Sequence, residues 1–359
     1  MQKILIVTDC YEPSINGVVT TLKNIKKQAE LDGYKVLIVE PSLFHNFSSM
    51  IYPDIRISIP FSFTKMVDEF QPDFIHIATE GVLGVTALNY CAKRNYNFTT
   101  AFHTKWGEFL NSILHIPVSW TNTWLRRFHR DKIVFCTSKS MIEYLTNNKI
   151  GGKLINWSRG VDTDIFGPPR LMKNQTNTFI KPRNLLTVNR ISKEKNLDAF
   201  CQLSTFLYNL TVVGDGPYLK ELKKKYPKVK FTGALVGEEL AAAYREADCF
   251  VFPSKNDTFG VVIIEAQMLG TPVAAYPVTG PIDIIKDGIN GITHKSLEFA
   301  VRKALTLDRK TVYEYTYENY SWKSVWNTFK ENMVGVEKND NKPNPSDETR
   351  WNERTDRSQ

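Results

Sequence analysis

The chain has 359 residues, 42% of them hydrophobic, which gives room for two ordinary domains with globular composition. Its net charge of +8 and pI near 9.0 favour anionic partners, whether nucleotide phosphates, acidic lipid surfaces or nucleic acid, without choosing among them. Five cysteines without C-x-x-C spacing argue for reduced core thiols, and no apolar run approaches the ~20 residues of a membrane span, so a cytosolic protein is expected, soluble or at most peripheral to a membrane.

Short apolar runs alternate with amphipathic segments along the chain, the pattern of an open α/β sheet. Strands are expected at Lys3–Thr8, Lys35–Glu40, Phe74–Ala78, Phe98–Phe102, Lys132–Thr137 and Lys153–Trp157, with helices such as Val19–Leu31, Val82–Lys93 and Ser140–Asn147 between them. A polar, proline-containing stretch at 167–178 reads as a linker. The pattern then restarts with strands at Asn184–Val188, Asn209–Val213, Val229–Phe231, Cys249–Phe252 and Pro272–Ala275. The expected organisation is therefore an N-terminal domain over 1–166, the linker, and a C-terminal domain over 179–333 closed by a helix from Thr311 to Met333. A disordered tail is expected over 334–359, which is polar, charged and nearly free of aliphatics. Two such domains would bind ligand in a cleft, beyond the carboxyl ends of the strands.

The loops after the strands carry the chemistry. Tyr11-Glu-Pro-Ser-Ile-Asn16-Gly17 opens the first helix, and Gly17 permits close approach of a ligand or simply makes a turn. Phe102-His103-Thr104 follows a strand, where a histidine serves a substrate hydroxyl or the core. Arg190 and Lys195 offer a planar fork of donors and a mobile charge, suited to a diphosphate or to a solvated surface. Val213-Gly-Asp-Gly-Pro217 is a tight strand-to-helix turn. In Asp257-Thr-Phe259-Gly260-Val261-Val-Ile-Ile-Glu265 a helix opens at a glycine with a carboxylate on each side. Its N-terminus can seat phosphate while the carboxylates take sugar hydroxyls, or Asp257 is no more than an N-cap. Asp162-Thr-Asp164 has the form of a metal-binding D-x-D but lacks neighbouring ligands. The segment from Trp120 to Arg130 interleaves aromatic and basic residues, as an interfacial helix, a nucleic-acid surface, or a core helix with a basic outer face.

In their order and placement these loops resemble the family-4 retaining glycosyltransferases of the two-domain GT-B type (glycosyl transferases group 1), from residue 3 to about residue 333. Gly17 matches the N-terminal glycine loop and Phe102-His103-Thr104 the histidine loop. Arg190 and Lys195 match the basic pair, Val213–Pro217 the V-G-D/E-G-P turn, and Asp257 to Glu265 the E-x7-E element. The chain departs from the pattern where Asp257 replaces the first glutamate and Asn189 replaces the glycine before the arginine. Trp157-Ser-Arg-Gly-Val-Asp162 and Ala275-Tyr-Pro-Val-Thr-Gly-Pro281 look like a bacterial-type branch near lipid glycosyltransferases and mannosyltransferases.

The resemblance implies an α/β fold of two Rossmann-like domains facing across a cleft. It implies transfer of a hexose from a UDP- or GDP-sugar to a hydroxyl of a membrane lipid or glycan, with retention and without a metal or other cofactor. In that reading Arg190, Lys195 and His103 are catalytic, while Asn16, Gly17, Asp257, Phe259, Gly260, Val261 and Glu265 hold the donor. The expected partners are the nucleotide sugar, the acceptor and a membrane surface at the inner face, with no nucleic acid. The alternatives are a nucleotide-sugar epimerase, a noncatalytic sugar-nucleotide binder and, with dispersed basic residues against it, a nucleic-acid-binding protein.

Overall fold

The structure is a computed structural model that describes residues 1–12, 14, 16–48, 56–103, 115–167, 182–255, 257 and 259–336. Two compact units divide it: Met1–Trp157 with Trp326–Gln359, and Ser158–Val325.

In unit 1 the strands are β1 (Lys3–Val7), β2 (Lys35–Val39), β3 (His45–Ser48), β4 (Arg56–Ile59), β5 (Phe74–Ile77), β6 (Thr99–Phe102), β7 (Ile133–Cys136) and β8 (Lys153–Asn156). Six form a parallel sheet in the order β2-β1-β5-β6-β7-β8, and β3 and β4 pair as a separate antiparallel hairpin. Unit 2 contains β9 (Arg183–Val188), β10 (Tyr208–Val213), β11 (Lys230–Gly233), β12 (Cys249–Phe252), β13 (Val273–Ala275) and β14 (Gly291–Thr293), parallel in the order β11-β10-β9-β12-β13-β14. In each sheet the first strand stands where the winding reverses, between β2 and β5 in unit 1 and between β10 and β12 in unit 2. Ligands of doubly wound sheets bind outside the carboxyl ends of strands at this switch point.

The apolar runs mark strands because helices cover both faces of a parallel sheet, so successive side chains are buried on opposite sides. In β12, Phe250 and Phe252 join one core with Tyr244, Ile263 and Ile264, while Cys249 and Val251 join the other with Leu185, Leu210 and Phe200. All five cysteines are free, and burial pushes the Cys91 and Cys136 thiols up to about 12.

Several expectations change. The closing helix is two helices, Arg309–Tyr320 and Trp322–Asn332, because the backbone is extended at Ser321 (φ −74°, ψ 149°). The second passes from unit 2 into unit 1, where Trp326 Nε1 donates to Asp32 Oδ2 at 2.8 Å and Phe329 packs on His76, Phe135 and Trp157. The start of the expected disordered tail is ordered: Gly335 bridges to Phe74, and the Val336 N–H donates to the Asp73 carbonyl at 2.9 Å. Residues 337–359, and 168–178 of the expected linker, lie outside the described residues. The units divide at Trp157 and Ser158, ahead of the expected boundary at 166. Val161 already bridges to Ser321, and Phe166 sits in a unit 2 core.

Candidate active site

The carboxyl ends of β9 and β12, adjacent strands at the switch point of unit 2, bring the expected basic pair and the Asp257–Glu265 element together. After β9 the chain turns through Asn189 and Arg190 and makes a short 3-10 turn at Lys193–Lys195. The Val213–Pro217 turn braces this loop. The Ile191 N–H donates to Asp215 O at 2.8 Å, and the Tyr218 N–H donates to Ile191 O at 3.0 Å. A Cβ on Gly214 would lie 1.9 Å from the Asn189 carbonyl oxygen, so only glycine lets the turn lie against the loop that carries Arg190. The Asn196 side chain donates to Pro253 O at 3.0 Å, tying the β9 loop to the β12 loop.

Arg190 is exposed, and among the described residues its guanidinium has no ion-pair partner. Lys195 is engaged: its Nζ lies 2.8 Å from Asp257 Oδ2, with each side chain 21% exposed. The carboxylate thus holds the lysine, and two of the ammonium's three donors remain for a ligand. Asp257 is not the helix cap. The helix Val261–Met268 begins at Gly260 in the left-handed region (φ 91°, ψ 63°), with no side-chain cap and no acidic residue in its first turn. Its N–H groups and the positive end of its dipole are therefore not offset by a carboxylate. Phe259 is buried just before this start, and the Arg159 guanidinium lies 5.7 Å over its ring. Burial lowers the Arg159 pKa from its ordinary value.

Glu265 lies one turn into the same helix. Its Oε2 accepts from the Tyr244 hydroxyl at 3.0 Å. Burial raises the Glu265 pKa above the ordinary glutamate value, and the Tyr244 hydrogen bond opposes that rise. Tyr244 is fully buried, on the helix Gly237–Glu246, with Phe166 and Phe250 against its ring. Neither Tyr244 nor Arg159 carries a sequence signal for chemistry. An aromatic residue on an apolar helix face reads as core, and Arg159 stood out only as part of a family-like phrase.

In unit 1 the loops after β1, β5 and β6 stand at the corresponding edge of the sheet. Asn16 caps the helix Gly17–Leu31, its Oδ1 accepting from the Val18 and Val19 N–H groups at 3.0 and 3.1 Å. Its side-chain oxygen is thereby used locally, and the Nδ2 points to Cys10 Sγ at 2.8 Å. Buried Asp9 accepts from the Leu83 N–H at 2.7 Å and from Thr79 Oγ1 at 2.8 Å, binding the end of β1 to the start of the helix Val82–Arg94. His103 follows β6 with its ring 6.2 Å from Trp157. Burial, with His103 nearby, pushes the imidazole of His76 down to about 3. Thr104 of the histidine loop lies outside the described residues. A buried pair has no signal in the sequence: His129 Nε2 lies 3.3 Å from Glu80 Oε1, and His129 Nδ1 lies 2.9 Å from Thr100 Oγ1. Asp162 turns its Oδ1 to the Asp164 N–H at 2.9 Å, closing its own turn. Among the described residues, no group of three or more metal-ligating side chains occurs.

Two doubly wound parallel sheets, one carrying cations, an uncapped helix and a buried carboxylate at its switch point, have the form of a glycosyltransferase of the GT-B class. Residues 15–165 match the pattern of Glycosyltransferase Family 4, and residues 170–307 match that of Glycosyl transferases group 1. The chain belongs to this family and is an enzyme that uses a nucleotide-sugar donor. It is 29% identical to the GDP-mannose-dependent alpha-mannosyltransferase of Corynebacterium glutamicum over 83% of its own length and 78% of that protein. It is 26% identical to the alpha-monoglucosyldiacylglycerol synthase of Streptococcus pneumoniae, over 89% of this chain and 83% of that protein. Sucrose-phosphate synthase from Thermosynechococcus elongatus has the same fold, with a TM-score of 0.63 at 18% identity, over 92% of this chain and 98% of that one. Among the described residues, no helix is long and apolar enough to cross a membrane.

Proposed function

We propose that this enzyme transfers mannose from GDP-mannose, with retention at the anomeric carbon, to a hydroxyl of a membrane lipid or a glycan attached to one. The observation that carries the reading is the cluster at the β9–β12 switch point: Arg190, the Lys195–Asp257 pair and the uncapped start of the helix Val261–Met268. Likeness to GDP-mannose-dependent enzymes favours the donor, and likeness to a diacylglycerol glycosyltransferase favours the acceptor class.

In this reading Arg190, Lys195 and the backbone N–H groups from Phe259 to Val261 hold the diphosphate, with Arg159 as a third cation beside them. Glu265, steadied by Tyr244, accepts from the ribose hydroxyls. Asp257 reaches the sugar from the same position that holds Lys195. Gly17, Asn16 and His103 are assigned to the donor on the match of their loops alone. The bond from the anomeric carbon to the diphosphate breaks as the acceptor oxygen bonds the same face, and the acceptor proton passes to the departing phosphate oxygen. The work of the protein is to stabilise charge growing on that phosphate. The cations and the helix dipole do this without a metal or other cofactor. The proposed location is the cytoplasm, with peripheral contact at the inner face of a membrane.

A thermal-shift panel of nucleotide sugars tests the reading, because the true donor stabilises the folded chain by mass action. GDP-mannose is expected to raise the melting temperature above UDP-glucose, UDP-galactose and GDP-glucose. Equal shifts for all four, or a larger one with a UDP-sugar, would reject the donor assignment.

A further inference from the structure

The helix Val118–Phe128 of unit 1 has two faces of opposite character. Thr121, Asn122, Leu125 and Phe128 are buried. On the outer face Trp120 is 72% exposed and Trp124 is 40% exposed, with Arg127 continuing the same stripe at helical spacing. Beside them lies an open groove of about 700 Å³ lined by both tryptophans, Arg126, Arg127, Arg130 and Lys149, against a single carboxylate, Asp131. Among the described residues none of the four cations has an ion-pair partner; Arg126 Nε donates to the Asn148 carbonyl at 2.8 Å. The groove is held in shape from below. Asn122 Nδ2 donates to Asn148 Oδ1 at 2.8 Å, the Tyr144 hydroxyl donates to Asn122 Oδ1 at 3.1 Å, and Asn148 Nδ2 donates to Tyr144 O at 2.8 Å. These bonds join the helix to its neighbour Lys139–Asn147 and fix the spacing of the cations.

We propose that this surface docks unit 1 on a bilayer containing anionic phospholipid. Two neighbouring indoles in one groove with four cations mark this patch apart from singly exposed apolar side chains, and tryptophan suits the level of lipid headgroups, with its ring in the apolar region and its N–H in the wet one. The surrounding guanidinium and ammonium groups match lipid phosphates, and together with the indoles they form the surface of an interfacial helix. The cations share one compact patch with the two indoles. That shape suits a membrane plane better than a nucleic-acid backbone, which needs an extended basic track. The proposal extends the membrane-acceptor part of the function given above and is independent of the donor assignment.

The test is co-sedimentation of the full chain with phosphatidylglycerol–phosphatidylcholine vesicles and with pure phosphatidylcholine vesicles. Wild type should pellet with the first and stay in solution with the second, and added salt should release it. Each arginine neutralised should weaken partitioning about fivefold, so an Arg126→Gln, Arg127→Gln, Arg130→Gln variant should lose roughly a hundredfold. A Trp120→Ser, Trp124→Ser variant should lose binding while keeping all the charges. The substituted side chains lie outside the helix's buried face, and stabilisation by GDP in the same variants shows that unit 2 is intact. Vesicle binding that survives both variants, or variants that lose an RNA oligonucleotide but keep the vesicles, would overturn the proposal. Vesicle binding without any GDP stabilisation would leave it standing and remove the donor reading instead.

Discussion

Replacing Tyr244 with phenylalanine removes one oxygen and little else. The ring stays packed on Phe166 and Phe250, so no cavity opens, but Glu265 loses the hydroxyl that its Oε2 accepts from at 3.0 Å. A hydrogen bond to an ionised group contributes about 1.5–3 kcal/mol. For a unit of this size that corresponds to a fall in melting temperature on the order of 3–12 °C. The sign depends on pH. The folded-state pKa of Glu265 is raised by burial, so its contribution to stability is greatest below the unfolded pKa and is lost as pH rises through the folded one. Tyr244 offsets part of that loss only while the carboxylate is ionised. Tyr244→Phe should therefore destabilise the protein near neutral pH and much less once Glu265 is protonated. Ribose hydroxyls also donate more strongly to an ionised acceptor than to a protonated one, so nucleotide affinity should fall on acidification, and in the variant that fall should begin at a higher pH. Thermal melts across the acid range, with and without GDP, measure both effects. Equal destabilisation at all pH values, or an unmoved acid limb, would refute the assignment of Tyr244 as the residue that steadies Glu265.

The other predictions concern the phosphate end. Arg190→Ala and Lys195→Ala should each cost about 2–4 kcal/mol in kcat/KM, roughly 30- to 900-fold, and wild-type turnover in both would remove them from the diphosphate. Arg159→Gln should lower kcat/KM by about 10- to 150-fold, the span of one charge-assisted hydrogen bond. Arg159→Lys should not restore it, because lysine lacks the planar group that lies over Phe259; full rescue by lysine would argue for charge alone. Activity should be undiminished by EDTA. Strict Mn²⁺ or Mg²⁺ dependence would return attention to Asp162 and Asp164.

The fold was legible where physics makes the signal local. Strands such as Cys249–Phe252, buried on both faces, appear as unbroken apolar runs, and that expectation coincides with β12 residue for residue. Gly291–Thr293 was too short to stand out, and so were the four-residue strands of the hairpin, His45–Ser48 with Phe47 as its one apolar side chain and Arg56–Ile59, which alternates over only two pairs. The loop carrying Arg190 and Lys195 and the helix carrying Glu265 could be picked out because each follows a recognisable strand. Their connections could not. Lys195 and Asp257 are 62 residues apart, and Tyr244 and Glu265 are 21 apart on different helices. Such pairings arise only when the sheet orders its strands. The break at Ser321 was hidden because the aromatic residues on both sides sustain a helical pattern.

The helix Trp322–Asn332 has a consequence for how the protein can be divided. Unit 1 is discontinuous in sequence: Phe329 completes a cluster begun by His76, Phe135 and Trp157, and Gly335 extends the pairing of Phe74. A gene fragment ending at residue 157 would encode the whole parallel sheet of unit 1 yet leave that aromatic cluster open to water. The stretch from Trp326 to Val336 is thus a clasp that the first half lacks until all of unit 2 has been translated. Unit 1 therefore cannot complete its core while it is being synthesised, even though its strands leave the ribosome first.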